Sequence, residues 1–256
     1  MNQQSDGGII LTPRQRNILF AVVKEYCDHG QTLGSKELKD KYNFSFSSAT
    51  IRNELVRLRD MEYLFQPFTN SSSKPTEKAF KLFINQLIGG LQVTSRQQTE
   101  LKKQLIEMQE KHSNLSKEIT RLLAISSGGV GFAINSNEET YSGVGNLLKE
   151  PTEGKVSDIL EFLDNLDTHK QYLLTHQEDP ASIFNVDSKQ LKTIIGSENP
   201  IIPLGKGYAM IATEVYLENN QKSVVGLITP THLLARKKNL ALVESLSKLL
   251  GQKSKK

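Results

Sequence analysis

Apolar residues recur at helical spacing through the first third of the chain, and each run carries its own start and stop signals. Thr12-Pro13 opens the first run. Threonine caps a helix N-terminus, and proline suits the first helical position, where its missing N–H would have no partner. Ile18, Leu19, Val22, Val23 and Tyr26 follow on one face, and Gly30 ends the segment. A second, short helix is expected from Ser35 to Tyr42, with Leu38 inward. Ser47 or Ser48 caps a third, in which Ile51, Leu55 and Leu58 form one apolar stripe and leave Arg52, Asn53, Val56 and Arg57 pointing away. Tyr63 to Phe68 reads as extended, and Thr69 to Pro75 as a turn-rich tip. Thr76 caps a closing helix bearing Ala79, Phe80, Phe83, Leu87 and Ile88, which Gly89-Gly90 ends. Three helices, a two-stranded wing and a closing helix follow the order of a winged helix-turn-helix.

Beyond it, residues 94–125 predict one long polar helix with a single seam: Leu101, Leu105, Met108, His112, Leu115, Ile119 and Leu122. The spacing is heptad-like over about three repeats. It suits a coiled coil between two copies, or an amphipathic helix lying on the domain that follows. From Ser126 the texture changes, with glycine clusters at 128–131 and 143–145 bracketing a loop-rich stretch. A helix is expected from Val156 to Leu166, a short strand from Leu191 to Ile195, and a hairpin from Tyr208–Leu217 and Val224–Ile228. A final helix from Thr231 to Leu250 stops at Gly251. The fold class is α+β with a small antiparallel sheet. Its expected parts are a disordered arm at 1–11, a winged-helix domain at 12–88, a linker or dimerisation helix at 89–126 and an α+β domain at 127–256.

Composition narrows the function classes. With 256 residues, 37% hydrophobic and 23% charged, the chain can fill one large core or two modest ones, which excludes wholesale disorder. The single cysteine, Cys27, excludes a disulfide framework and a cysteine-built zinc site; on the apolar side of the first helix it reads as a core thiol. The five histidines are scattered, with no i,i+4 metal pair, and Gly128-Gly129-Val130-Gly131 lacks the Lys-Ser/Thr of a phosphate loop, so it reads as a turn. No catalytic constellation and no cofactor motif is found. The absence of a signal peptide and of a run of about 20 apolar residues points to a cytoplasmic protein with no membrane segment. The net charge is +4, and residues 1–88 hold 12 basic against 9 acidic side chains. That balance permits a polyanionic partner without requiring one.

Arrangement is more informative. Ser48 and Thr50 crowd the N-terminus of the third helix, where free N–H groups can hold a phosphate. Arg52 and Asn53 carry the planar forks that read guanine and adenine edges, and Arg57 lies one turn on. Ser35 and Lys36 open the second helix and suit backbone anchoring; Thr69 and Lys74 would belong to the wing tip. The competing reading is an ordinary capped surface helix beside a solvated loop.

These segments together resemble the heat-inducible transcription repressor family HrcA. The resemblance begins at Leu11-Thr12-Pro13-Arg14-Gln15. It is sharpest in Gly34-Ser35-Lys36-x-Leu38, Ser48-Ala49-Thr50-Ile51-Arg52-Asn53 and Tyr63-Leu64-x-Gln66-Pro67. It returns in Gly145-Asn146-Leu147-Leu148, Ile195-Gly196-Ser197-Glu198-Asn199-Pro200 and Gly226-Leu227-Ile228-x-Pro230-Thr231. The resemblance implies a homodimeric repressor with a winged-helix domain, a GAF-like domain and an inserted dimerising segment. It also implies double-stranded DNA as partner, as an inverted repeat upstream of chaperone genes, with the chaperonin GroEL helping it reach its active form. Two departures stand out. The chain is shorter than typical members, with the shortfall expected between Ala124 and Tyr141, where the inserted segment and early GAF-like strands belong. In the wing, Ser72-Ser73-Lys74 replaces the family's usual Ala-Gly-Arg-Val, which exchanges a flat guanidinium fork for a point charge. A ligand-sensing regulator of another regulon is the alternative function.

Overall fold

Two units divide between Asn85 and Gln86 in the computed structural model. It describes residues 11–68, 71–111, 114–135, 138–149, 154–165, 191–196, 204–217 and 221–251, with the backbone alone at 107–111. The first unit is built from α1 (Pro13–His29), α2 (Ser35–Tyr42), α3 (Ser48–Asp60), a hairpin of β1 (Leu64–Phe65) and β2 (Lys74–Pro75), and α4 (Glu77–Gly89). Thr12 and Gln15 form a reciprocal capping box at the start of α1, and Gly30 closes it in the left-handed conformation. Asn43 takes the same conformation after α2, and Ser47 caps α3. Ile18, Leu19, Leu38, Ile51, Leu58 and Ile84 are fully buried between the helices, and Cys27 is a buried thiol. Residues 1–10 lie outside the described residues, but Leu11, assigned to the arm by sequence, is buried.

The second unit begins with α5 (Ser95–Lys111) and α6 (Leu115–Ser127). The single long helix expected here is corrected to two. Asn114 is extended, and its side chain accepts the Lys117 N–H at 2.7 Å, which caps a new helix and breaks the old one. Five strands follow: β3 (Val130–Asn135), β4 (Glu139–Ser142), β5 (Lys192–Ile195), β6 (Tyr208–Tyr216) and β7 (Lys222–Pro230). They form one antiparallel sheet in the order β4-β3-β7-β6-β5. Residues 156–165 form the helix α7. A short α8 (Thr231–Leu234) and α9 (Lys237–Leu250) end the unit. The continuous helix expected from 231 to 250 is thus broken at Arg236, and buried Asn239 donates to the Leu233 carbonyl at 2.8 Å across the break.

Both faces of the sheet are covered. Phe132, Ile134, Tyr208, Met210, Val224 and Ile228 pack on one face with Leu147 and with Ile159, Phe162 and Leu163 of α7. On the other, α6 packs against β3 and α9 against β6. Contact with α6 is close enough that a Cβ at Gly131 would overlap the Thr120 carbonyl. The stretch read as loop and turn therefore contains two strands, and Gly128 is the left-handed cap of α6. The early strands expected to be missing between Ala124 and Tyr141 are present as β3 and β4.

Candidate nucleic-acid interface

The outward face of α3 carries most of the residues singled out by sequence. Ile51, Leu55 and Leu58 are buried, so Arg52, Asn53, Val56 and Arg57 are exposed by the helical period. Ser47 rather than Ser48 is the cap: its hydroxyl accepts the Thr50 N–H at 3.1 Å and lies 2.9 Å from the Thr50 hydroxyl. Thr50 and Ser48 are half-buried beside it. The turn before α3 is stiffened by a short aromatic ladder in which Phe44 stacks on Tyr42 and on Phe46, with centroids 6.0 and 4.9 Å apart.

Two buried carboxylates fix α3 and α2 to α1. Glu54, on the inner side of α3, takes Arg14 Nη2 at 2.7 Å and Nε at 2.9 Å, Gln15 Nε2 at 3.1 Å and Arg57 Nη1 at 3.4 Å. Burial acts to raise its pKa, but the hydrogen bonds from Arg14 and Gln15 and the charges of Arg14 and Arg57 outweigh it and hold the carboxyl below the usual range. Glu25 on α1 repeats the device. It pairs with Lys41 at 2.6 Å and His29 at 3.0 Å and accepts from the Tyr42 hydroxyl at 3.2 Å. Its carboxyl too is held low against the effect of burial. Burial and the neighbouring Glu25 charge push the Tyr42 phenol up to about 12. Neither carboxylate was recognised by sequence. Their partners lie as far as 40 residues away, and the one local signal is a charged residue on an otherwise apolar face.

The other expected contacts are less uniform. Lys36 is exposed and Ser35 half-buried at the start of α2, but the Glu37 carboxylate accepts the Gly34 N–H at 2.8 Å and adds negative charge there. Lys74 is corrected: it sits in β2 opposite Phe65, half-buried, below the hairpin tip. Thr69 lies outside the described residues. A link missed by sequence is Arg59, which donates from Nη1 to Ser73 Oγ at 2.8 Å and so ties the hairpin to α3.

The heptad-like seam is corrected as a free surface. Leu101, Leu105, Leu115 and Ile119 are all buried inside the second unit. Leu122 is half-buried in an apolar groove of about 390 Å³ between α5, α6 and α9, which Leu101, Ala241 and Leu242 also line. The side chains of Met108 and His112 lie outside the described residues. Among the described residues, no His, Cys, Asp and Glu side chains gather as a metal site, and no helix is long and apolar enough to cross a membrane.

Comparison with known proteins places these elements. Residues 46–234 match the family model described as the HrcA protein C terminal domain. The heat-inducible transcription repressor HrcA of Gloeobacter violaceus is 35% identical over 145 residues, 56% of this chain and 40% of the relative. That of Sorangium cellulosum is 34% identical over 155 residues, 60% of this chain and 44% of the relative. The chain thus spans less than half the length of the curated relatives it matches. A crystal structure of a hypothetical protein has the same fold, with a TM-score of 0.64 at 17% identity, covering 94% of this chain and 98% of its own.

Proposed function

The chain belongs to the HrcA family, and from that premise we propose that it is a sequence-specific DNA-binding repressor of heat-shock genes, a binding protein rather than an enzyme. The observation that carries the reading is the outward face of α3, with Arg52, Asn53, Val56 and Arg57 exposed together on a helix fixed from behind by Glu54. Pre-organisation matters here. Arginine and asparagine forks discriminate bases only when the helix that carries them cannot rock in the groove.

In this reading the first unit is a winged helix. α3 enters the major groove, the N-terminus of α3 and Lys36 meet flanking phosphates, and the β1–β2 hairpin reaches the neighbouring groove. One such helix makes few base contacts, so operator affinity calls for two copies on an inverted repeat, with half-sites a whole number of helical turns apart. The second unit is a GAF-like domain that assembles the dimer. The burial of Leu115 and Ile119 moves the dimer contact away from the seam to another surface of that unit. Action in the cytoplasm and assistance from the chaperonin GroEL rest on the family resemblance alone.

Titration of the full chain with a chaperone-promoter duplex and a scrambled one tests this. Arg52→Ala and Asn53→Ala should each remove about 1–3 kcal/mol of discrimination. Lys36→Ala should weaken both duplexes alike and flatten the salt dependence, as the loss of a phosphate contact does. If Arg52→Ala keeps the parent's ratio between the two duplexes, α3 is not the reader.

A further inference from the structure

In the first unit, the large apolar side chains exposed among the described residues are Val56, at 40%, and Phe68, at 78%. Both fall on the features assigned above to DNA, Val56 between Asn53 and Arg57 on α3 and Phe68 in the wing. Phe68 is not exposed for want of order around it. Ser71 returns on the Phe68 backbone: its hydroxyl accepts the Phe68 N–H at 3.1 Å and donates to the Phe68 carbonyl at 2.9 Å, and its own N–H donates to that carbonyl at 3.0 Å. Gln66 Nε2 donates to the Ser71 carbonyl at 2.6 Å. Below these bonds the strands pair Leu64 with Pro75 and Phe65 with Lys74, and Arg59 ties Ser73 to α3. A phenyl ring is thus held out on a hydrogen-bonded turn that is itself fixed to the proposed reading helix.

We infer that Phe68 is an apolar wedge that packs into the minor groove beside the major groove entered by α3 and selects base steps that unstack easily. The inference rests on the DNA-binding reading. A phenyl ring has no donor or acceptor, so it cannot read base edges. What it can do is insert at a step and favour the flexible pyrimidine–purine steps over stiff ones. The cost of ordering the ring has largely been met before binding, since its backbone is already bonded on both sides. The groups around it favour a polyanion over a second protein surface: Arg52 and Arg57 are exposed on α3, and Arg59 lies at the foot of the hairpin.

The test uses the full chain with Phe68→Ala, Phe68→Leu and Arg52→Ala, on promoter duplexes carrying a fluorescent base analogue at successive steps flanking the major-groove site. Because Phe68 touches solvent over most of its surface, Phe68→Ala should fold as the parent does. It should bind the promoter about tenfold more weakly or worse, the loss expected for one buried phenyl contact. It should also lose the fluorescence change at one flanking step and leave the slope of log K against log salt unchanged, because no phosphate contact is removed. Phe68→Leu, which keeps a wedge, should retain most of the affinity and the fluorescence change. Parent affinity and an unchanged fluorescence signal in Phe68→Ala, beside a loss of discrimination in Arg52→Ala, overturn the wedge and leave the reading helix standing. If the parent itself does not prefer the promoter, both fall. If Phe68→Ala dissociates the dimer while a saturated complex keeps the step signal, the ring belongs to a contact between copies and the wedge is rejected.

Discussion

The two units solve the problem of orienting helices in opposite ways. In the second, helices are placed by dry contact. β6 and β7 are buried over almost their whole length, α6 lies so close to β3 that Gly131 has no room for a side chain, and the α7 face of the sheet is apolar throughout. In the first, a smaller apolar core is supplemented by two ionised carboxylates, Glu25 and Glu54, each holding partners from a second helix. A small helical unit that must leave one face of α3 polar has less apolar surface with which to fix that helix. Directional bonds to a buried charge supply the orientation that packing alone leaves loose. The price is sensitivity to acid and to the loss of one partner, which dry packing does not share.

The sharpest way to break this comparison is to put a charge where packing governs. Ile119 has no exposure in α6, facing the sheet. Ile119→Glu buries an unpaired carboxylate and should cost about 4 kcal/mol or more, enough to remove the second unit's cooperative transition in urea. Arg52→Glu, on the exposed face of the first unit, should shift its own transition by no more than about 0.5 kcal/mol. A folded monomer from Ile119→Glu would instead return α6 to the surface as a dimer seam.

That outcome also measures how much the sequence revealed. The first unit was legible because its helices announce themselves: Thr12-Pro13, Gly30, Ser47 and Gly89 mark the ends, and the apolar residues between them keep one period. The exposed face of α3 followed from that period directly. β3 did not show itself, because a strand buried on both faces lacks alternation, and Gly129 and Gly131 look like turn residues when they are sites of close approach. The break at Asn114 was overlooked because the seam runs through it in register, and the helix cap was the weaker signal. Glu25 and Glu54 stayed hidden for a different reason. Long-range pairing of a buried charge leaves no local pattern, so the polar half of the first unit's architecture became visible only in three dimensions.

A smaller effect should separate the units by pH. The pKa of both carboxylates is lowered on folding from the usual 4.5. Their stabilisation is therefore complete above about pH 4.5 and is lost as pH falls through the lower folded values, because the unfolded chain takes up protons first. Acidification should lower the first unit's urea midpoint, and Glu54→Gln should be less stable at neutral pH with a shallower acid dependence. Arg14→Met leaves the Glu54 carboxylate buried with Gln15 and a distant Arg57, and should cost about 1–3 kcal/mol at neutral pH. If the acid slope of the first unit is the same in Glu54→Gln as in the parent, its carboxylate is not what orients α3.

The smallest expected effect concerns the entrance to α3, where the directional strategy rests on one hydroxyl. Ser47 is exposed and accepts the Thr50 N–H, satisfying a donor that the helix itself cannot. Ser47→Ala removes the acceptor and should destabilise the first unit by about 1 kcal/mol, while Ser47→Gly, which lets water reach the freed N–H, should cost only a few tenths of that. Chemical denaturation that follows the first unit would resolve the pair. Because Ser47 carries no base-reading group, the ratio of promoter to scrambled affinity should stay at the parent's value in both variants, even where overall affinity drops through a lost phosphate contact. A fall in that ratio would mean that the cap, and not Glu54 alone, sets the angle at which Arg52 and Asn53 meet the bases.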